Sequence, residues 1–170
     1  MAKGPRIREK KIRKFTGEFK PHEFPEGFAM VIDTREQTPL FKKPPKGLMI
    51  KRDTLKNGDY SIVGFEDVFA VERKNPSDFL GYITHGRDKA VEKLKRLKEY
   101  EFKALMIECD EDALYFGNLY SNVHPEAIRQ SLISFQVRYG VHVYFSDDIK
   151  RLERLLLDLA IKFYMVKKAV

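Results

Sequence analysis

The sequence predicts an α/β fold built around a mixed sheet, and two observations lead to this class. Short apolar or alternating runs, each too brief for a helix, are grouped in the first half of the chain. Beyond residue 75, strand-like runs alternate with longer amphipathic segments, an order that places helices against a sheet. We expect one folded domain at residues 28–170, preceded at 1–27 by a basic, flexible arm that contains several glycines and prolines.

The first half of the chain contains four predicted strands. Residues 28–33 form a buried apolar run, and a shorter strand at 48–51 follows a proline-rich loop. The Asn-Gly pair at 57–58 is a turn signal. Strands at 59–63 and 68–74 are expected to pair with each other as a hairpin across a second turn.

The first predicted helix has a clear start signal. Asn75 can cap it, Pro76 suits its first position, and Asp78 lies in the first turn, where negative charge is favourable. This helix is expected to end near residue 83. The remaining predicted elements are helices at 87–100, 111–117, 124–138 and 147–167 and strands at 104–108 and 141–145.

The composition predicts a folded protein without disulfides or membrane spans. Hydrophobic residues make up 43% and aromatic residues 12% of the 170 residues, enough for a sizeable core. The single cysteine, Cys109, excludes an internal disulfide framework and a cysteine-based zinc cluster. The sequence has no long uncharged apolar run, so we expect neither a membrane span nor a secretory signal. We therefore expect a soluble protein of a reducing compartment.

The formal charge of +7 is concentrated near the N-terminus. Residues 1–14 contain seven bases and one acid, whereas residues 15–170 contain 25 bases and 24 acids. A second basic segment lies at 87–99. These segments are either solvated or in contact with the phosphates of a nucleic acid. The residues for which we expect DNA contact are Lys3, Arg6, Arg8, Lys10, Lys11, Arg13, Lys14, Arg87, Lys93 and Arg96.

Four residues between 33 and 74 are candidates for chemistry. Asp33 ends the first strand, and Asp59 follows the Asn-Gly turn. Glu72 and Lys74 are two apart on one strand, so their side chains share a face. Many metal-dependent nucleases have this pattern, in which one acid is followed further along the chain by an acid, any residue and a lysine. The alternatives are a surface ion pair for Glu72 and Lys74, and a cap or turn for Asp33.

The chemistry of such nucleases explains why these residue types are needed. Carboxylate oxygens bind Mg²⁺ or Mn²⁺ and leave positions open for water and phosphate. The metal lowers the pKa of bound water and offsets the charge that grows on the reacting phosphate. A lysine such as Lys74 can orient that water and stabilise the same charge.

Two motifs resemble those of the XPF-type structure-specific endonucleases, the ERCC4-domain family. The first consists of Gly58-Asp59, twelve residues, Glu72-Arg73-Lys74, three residues and Asp78. The second consists of Val31-Ile32-Asp33-Thr34-Arg35-Glu36. Weaker similarity continues through the segments at 124–128 and 138–143 to the last helix, so that the resemblance covers about residues 28–168.

The resemblance implies a fold, an activity and a set of ligands. The fold is restriction-endonuclease-like (PD-(D/E)XK), with a mixed central sheet flanked by helices. The activity is metal-dependent cleavage of DNA near 3′ flaps, forks and junctions in repair or recombination. Asp33, Asp59 and Glu72 would bind Mg²⁺, for which Mn²⁺ can substitute, and Lys74 would be the catalytic lysine.

The resemblance also implies supporting roles for four further residues. Glu36 would support or join the metal site, while Arg35 and Arg73 would contact DNA or hold acidic neighbours. Arg73 points away from Glu72 on a strand, so a direct chemical role for it is less expected. Asp78 belongs to the motif, but we favour a structural role because it lies in the first turn of a helix.

The intact motif favours a Mg²⁺-dependent endonuclease over two alternatives. One alternative is a nuclease or resolvase with a different substrate, directed by a partner protein; the other is a non-catalytic DNA-binding scaffold. Many relatives carry tandem helix-hairpin-helix modules that do not follow here, so we expect junction binding either to be weaker or to be delegated to a partner.

Two further expectations concern assembly and location. Relatives dimerise, and the apolar stripe from Ile149 to Phe163 on the last helix is either a homodimer interface or, as we favour for most of it, core. The expected location is the cytoplasm or nucleoid in a prokaryote or virus, and the nucleus in a eukaryote.

Overall fold

The computed structural model describes residues 21–116 and 122–169. These residues form six strands and five helices. The strands are β1 (Ala29–Asp33), β2 (Met49–Asp53), β3 (Tyr60–Ile62), β4 (Phe69–Lys74), β5 (Phe102–Ile107) and β6 (His142–Phe145). The helices are α1 (Pro76–Ile83), α2 (Arg87–Leu97), α3 (Glu111–Phe116), α4 (Pro125–Tyr139) and α5 (Ile149–Lys168). Each corresponds to an element expected from the sequence. None of these helices is long and apolar enough to cross a membrane.

The six strands form one mixed sheet in the order β2-β1-β3-β4-β5-β6. The β1–β2, β4–β5 and β5–β6 pairs are parallel, and the β1–β3 and β3–β4 pairs are antiparallel. The β3–β4 pair is the predicted hairpin, whereas the parallel β4–β5 pair requires the crossover that α1 and α2 provide. The predicted α/β class with a mixed sheet is confirmed.

The alternation of side chains along β4 supplies a core on each face of the sheet. Phe69 and Val71 join the core that α5 covers, and Ala70 joins the core of α1, α2 and α4. Beyond the core the alternation continues. Glu72 reaches α2, where it contacts Lys93, and Arg73 emerges on the α5 side of the sheet. The prediction that Arg73 points away from Glu72 is confirmed.

Helix α5 packs through a row that differs in part from the predicted stripe. Ile149, expected on this row, is 40% exposed, because it is the first residue of the helix and lines a surface cavity. Leu155, Leu159 and Phe163 are partly buried against the core. The fully buried residues of the helix are Leu152, Leu156, Leu157, Ala160 and Tyr164. Core packing therefore accounts for most of the stripe, and the homodimer stays a prediction.

The described part of the predicted arm contacts the rest of the fold. His22 Nε2 lies 3.0 Å from Asp158 Oδ1 on α5, and Phe24 stacks on Phe28 with 6.0 Å between ring centroids. The seven basic residues from Lys3 to Lys14 lie outside the described residues. The limits of the arm at 1–27 and of the domain at 28–170 stay a prediction.

Candidate active site

A tight turn before β3 places the carboxylate of Asp59 against β4. The Asp59 N–H donates to Val71 O over 2.8 Å, and Asp59 Oδ2 accepts the Arg73 N–H, also over 2.8 Å. The turn requires Gly58, whose φ of +80° lies in the left-handed region. A Cβ added to Gly58 would lie 3.0 Å from Val71 O, a backbone atom of β4. The turn and the strand together fix the Asp59 carboxylate beside Glu72.

We expect Gly58→Ala to destabilise the fold by about 2–3 kcal/mol, because the left-handed backbone strain and the close approach to β4 act together. Gly64→Ala is the matched control. Gly64 has a similar φ of +84°, but nothing lies within 4 Å of an added Cβ, so only the backbone strain of about 1 kcal/mol applies. Urea unfolding measures both losses. Equal losses of stability in the two variants would show that the close approach to Val71 is not a reason for glycine at position 58.

Glu72 is held between two lysines. Lys74 Nζ donates to Glu72 Oε1 over 2.8 Å from the same face of β4, and Lys93 Nζ donates to Glu72 Oε2 from α2. The Glu72 side chain is only 8% exposed. Lys74 also lies over the ring of Tyr82, 5.1 Å from its centroid, in a cation–π arrangement. The shared face of Glu72 and Lys74 is confirmed, and the pair is largely buried rather than on the surface.

The two neighbouring acids have pKa shifts of opposite direction. Burial, and after it the charge of Glu72, raises the pKa of Asp59 to about 7. Burial also acts to raise the pKa of Glu72, but the ammonium groups of Lys93 and Lys74 outweigh it and lower that pKa. At neutral pH, Glu72 is therefore an anion compensated by two cations. Asp59 is close to its midpoint and would gain from a nearby cation.

Asp33 organises the loop that follows β1. Its Oδ1 accepts the backbone N–H and the Nε–H of Arg35, and its Oδ2 accepts Arg35 Nη2 and the Leu55 N–H, all over 2.8 Å. The Arg35 side chain holds the pKa of Asp33 well below its usual range. Because each oxygen already accepts two hydrogen bonds, Asp33 offers no oxygen to a metal in this arrangement. These contacts favour the turn that was the alternative for Asp33, and they place Arg35 as the partner of an acidic neighbour.

Arg73 joins three segments on the opposite face of β4. Its Nη1 donates over 2.5 Å to Oε1 of Glu108, the residue that follows β5. Its Nη2 donates to Thr38 O over 2.7 Å and lies 3.4 Å from Glu36 Oε1. The Arg73 side chain is 13% exposed. Arg73 and Glu36 therefore hold the loop after β1 against the sheet, on the far side from Glu72.

Asp78 takes part in the cap of α1. Asn75 Oδ1 accepts the Asp78 N–H, and Asn75 Nδ2 donates to Asp78 Oδ2, both over 2.8 Å. This reciprocal pair satisfies a free N–H of the first helical turn. The contacts support the structural role that the sequence favours for Asp78.

The structure separates the described residues for which DNA contact is expected. Lys93 and Arg96, one turn apart on α2, line the same cavity as Asp59. Arg87 lies elsewhere, at the start of α2, where its Nη1 donates to Ser131 Oγ of α4 over 3.0 Å. Arg87 thus connects two helices and is not part of the cavity.

A polar cavity of about 420 Å³ brings most of the predicted site together. Glu72 is almost fully buried and contacts two of the lysines that line it. Bases outnumber acids in the lining, which suits an anionic ligand. The lining residues are Asp33, Arg35, Glu36, Lys56, Asn57, Gly58, Asp59, Arg73, Lys74, Asp78, Lys93 and Arg96.

One buried polar atom and two contacts at the site were not expected from the sequence. Asn57 is 5% exposed and lines the cavity, and its Oδ1 has no hydrogen-bond partner among the described residues. Glu108, which has no role in the motifs, is the partner of Arg73, and Lys93 contacts Glu72. The Asn-Gly turn could have indicated Asn57 as a site residue. No local pattern predicts the two contacts, because they depend on the position of β5 and α2 beside β4.

The donors at the cavity fit a hard divalent cation held by two carboxylates. Mg²⁺ commonly binds through one or two carboxylates and keeps waters and substrate phosphates as its other ligands. Asp59 Oδ1 accepts no hydrogen bond from the described residues, and the Glu72 oxygens contact only displaceable lysine ammonium groups there. Within residues 21–116 and 122–169, no three His, Cys, Asp or Glu residues are placed to share a metal. In this arrangement the Asp33 oxygens are taken by Arg35 and Leu55, and its predicted role as a metal ligand stays a prediction.

A mixed sheet that joins an acid at a turn to an acid-x-lysine strand defines the restriction-endonuclease-like class of fold. Two solved structures of XPF from Aeropyrum pernix share this fold. The first has a TM-score of 0.62 and 24% identity, and the match covers 78% of this chain and 59% of that one. The second, a complex with DNA, has a TM-score of 0.59 and 24% identity, with 83% and 66% covered. The predicted fold class is confirmed.

The model of the ERCC4 domain family matches residues 32–159, well over half of the chain, and the chain belongs to this family. The family resemblance stated from the two motifs is thereby confirmed. A Methanocaldococcus jannaschii protein, whose assigned name is that of an ATP-dependent RNA helicase, is 27% identical over 139 residues. That match covers 82% of this chain but only 16% of the relative. The chain thus spans a small part of that relative and about 59% of the first XPF chain.

Proposed function

We propose that the chain is a Mg²⁺-dependent DNA endonuclease that cuts near branches such as 3′ flaps, forks and junctions in DNA repair or recombination. The observation that carries this proposal is the meeting of Asp59, Glu72 and Lys74 at one polar cavity. Membership of the ERCC4 domain family supports it, as does the DNA complex of Aeropyrum pernix XPF, which has the same fold.

Each of the three residues has a distinct task in the proposed reaction. Asp59 and Glu72 would hold Mg²⁺, or Mn²⁺ in its place. When bound, the metal would lower the pKa of a water and offset charge on the reacting phosphate. Lys74, kept in place by Glu72 and the Tyr82 ring, would orient the attacking water and stabilise the negative charge that forms. Asp33 and Arg35 position the loop beside this site.

The bases around the cavity supply contacts to the DNA backbone. Lys56 and Arg96 are exposed and line the cavity, so they can neutralise phosphates beside the one that is cut. The basic residues of the arm, from Lys3 to Lys14, extend this contact in the proposal. Such contacts fix the position of the DNA without reading its sequence, which suits an enzyme that recognises a branch.

The proposal is tested with labelled 3′ flap, fork, four-way junction and plain duplex DNA, each with Mg²⁺ and with EDTA. The wild-type chain is expected to cut at least one branched DNA in Mg²⁺ and none in EDTA. We expect Glu72→Gln to slow cutting by at least about a hundredfold, because it removes a ligand charge from the metal site. The matched control is Glu92→Gln on α2. The Glu92 side chain is 62% exposed and, within the described ranges, its one ion pair is with Lys95, so the cutting rate should stay within about twofold of wild type.

The pattern of results separates the rival functions. Binding of branched DNA without metal-dependent cutting would replace the proposal by a DNA-binding scaffold. Metal-dependent cutting without preference for flaps or forks would favour a nuclease or resolvase that a partner directs. No binding and no cutting of any substrate would contradict all three functions.

A further inference from the structure

Lys93 occupies one oxygen of the glutamate that the proposed function assigns to the metal. It extends from α2, the second helix after β4, and its ammonium group donates to Glu72 Oε2. Glu72 Oε1 is taken by Lys74. Both oxygens of a nearly buried carboxylate are therefore covered by cations, and a metal can reach Glu72 only if at least one lysine moves away.

The two lysines differ in how firmly they are held. Lys74 lies on the same strand as Glu72 and has a second contact, the ring of Tyr82. Lys93 makes its one ion pair among the described residues with Glu72, and its side chain is 25% exposed against 19% for Lys74. A long, flexible side chain at the cavity wall can leave Glu72 without disturbing the strand. Of the two lysines, Lys93 is thus the one held by fewer contacts.

The charge balance gives this movement a consequence. Asp59 and Glu72 together carry at most two negative charges, and Lys74 and Lys93 carry two positive charges, so the metal-free cluster is already compensated. A divalent cation at the same oxygens leaves an excess of positive charge that an anion must balance. The displaced ammonium group stays at the wall of a cavity in which bases outnumber acids, where a phosphate can take it as a partner.

We propose that Lys93 is a positioning residue that holds the metal-free site closed: it competes with the metal for Glu72 Oε2, and metal binding releases it to the substrate phosphate. This inference rests on the proposed function, because it assigns Glu72 to the metal. It goes further because it makes metal binding and DNA binding favour each other. The metal frees the Lys93 ammonium group to bind a phosphate, and a bound phosphate keeps Lys93 away from Glu72.

The test is Mn²⁺ binding to the full chain without DNA, followed by titration calorimetry or by the electron paramagnetic resonance signal of free Mn²⁺. We expect Lys93→Met to bind Mn²⁺ more tightly, on the order of tenfold, because the metal no longer breaks a charged hydrogen bond. Lys95→Met is the matched control. It removes the same charge from the same helix, but the Lys95 side chain is 60% exposed and pairs with Glu92, so the Mn²⁺ affinity of this variant should stay within about twofold of wild type.

A second variant guards against a simple loss of structure. Lys93→Gln keeps a donor for Glu72 without the charge and is expected to fall between wild type and Lys93→Met. A structural role for Lys93 would predict weaker metal binding in both variants, which is the opposite direction. With DNA present, wild type should bind Mn²⁺ more tightly than without it, and Lys93→Met should lose most of that gain.

The outcomes separate this inference from the proposed function. If wild type binds Mn²⁺ and Asp59→Asn abolishes that binding, the metal site stands; equal or weaker binding by Lys93→Met then overturns the role of Lys93 alone. If neither wild type nor Lys93→Met binds Mn²⁺, with or without DNA, the metal site and the role of Lys93 both fail. Equal gains in Mn²⁺ affinity for Lys93→Met and Lys95→Met would reduce the effect to general charge and would also overturn the role of Lys93.

Discussion

Asp59→Asn should abolish cutting and, at the same time, make the metal-free protein more stable at pH 8. We expect the rate of metal-dependent cleavage to fall by about a thousandfold, because asparagine cannot supply the anionic ligand. The fold should gain about 2–4 kcal/mol at pH 8. Asparagine can still accept the Arg73 N–H that Asp59 Oδ2 accepts, so the turn before β3 keeps its hydrogen bond.

The sign of the stability change follows from the raised pKa of Asp59, about 7 in the folded protein against an ordinary value of 3.8. Below about pH 4, the carboxyl group is protonated in both the folded and the unfolded chain, so it does not affect stability. Between about pH 4 and 7, the unfolded chain loses the proton while the folded chain keeps it, so wild-type stability falls. Above pH 7 the wild-type chain has lost all the stability that this difference in pKa can cost. Asp59→Asn carries no titrating group at this position and keeps its stability.

Urea unfolding in EDTA at pH 5 and pH 8 checks the prediction. The advantage of Asp59→Asn over wild type should be larger at pH 8. The control is Asp67→Asn, whose side chain is 77% exposed, and it should change stability by less than about 0.5 kcal/mol at either pH. Addition of Mg²⁺ at pH 8 should stabilise wild type but not Asp59→Asn. A variant no more stable than wild type at pH 8 would contradict the burial cost assigned to Asp59.

Arg73→Met should destabilise the fold by about 3–5 kcal/mol, since it removes one partner of a largely buried ionic cluster. Arg73 contacts Glu108, Glu36 and the Thr38 carbonyl, and its side chain is 13% exposed. Without it, two carboxylates lose their shared cation, and the loop after β1 loses its attachment to β4. Urea unfolding of the variant in EDTA measures the loss independently of metal binding.

Two comparisons make the Arg73 result specific. Arg129→Met breaks an exposed pair with Glu126 on α4 and should cost less than about 1 kcal/mol. Adding Glu108→Gln to Arg73→Met should recover part of the lost stability, because it removes the partly buried negative charge that Arg73→Met leaves without a cation. A loss of under 1 kcal/mol for Arg73→Met would mean that the cluster adds little to stability. Lack of recovery in the double variant would point away from Glu108 as the main partner.

Much of the fold was predictable because its signals are local. The buried run of β1, the Asn-Gly turn and the Asn75 cap each act within a few residues, and each of these elements forms as expected. The side-chain alternation of a strand likewise placed Glu72 and Lys74 on one face and Arg73 on the other. These local signals do not predict which strand or helix packs beside β4.

The sequence by itself therefore determined the α/β class, the elements and the three residues proposed to act on the phosphate. Only the tertiary structure decided the partners of the charges. It tied both oxygens of Asp33 to Arg35 and Leu55, and it brought Lys93 to Glu72 across 21 residues and Glu108 to Arg73 across 35. The physical reason is that local sequence sets the backbone angles and the alternation within an element. The neighbours of a charge, in contrast, depend on how distant elements pack, and a carboxylate that is free in one arrangement is occupied in another.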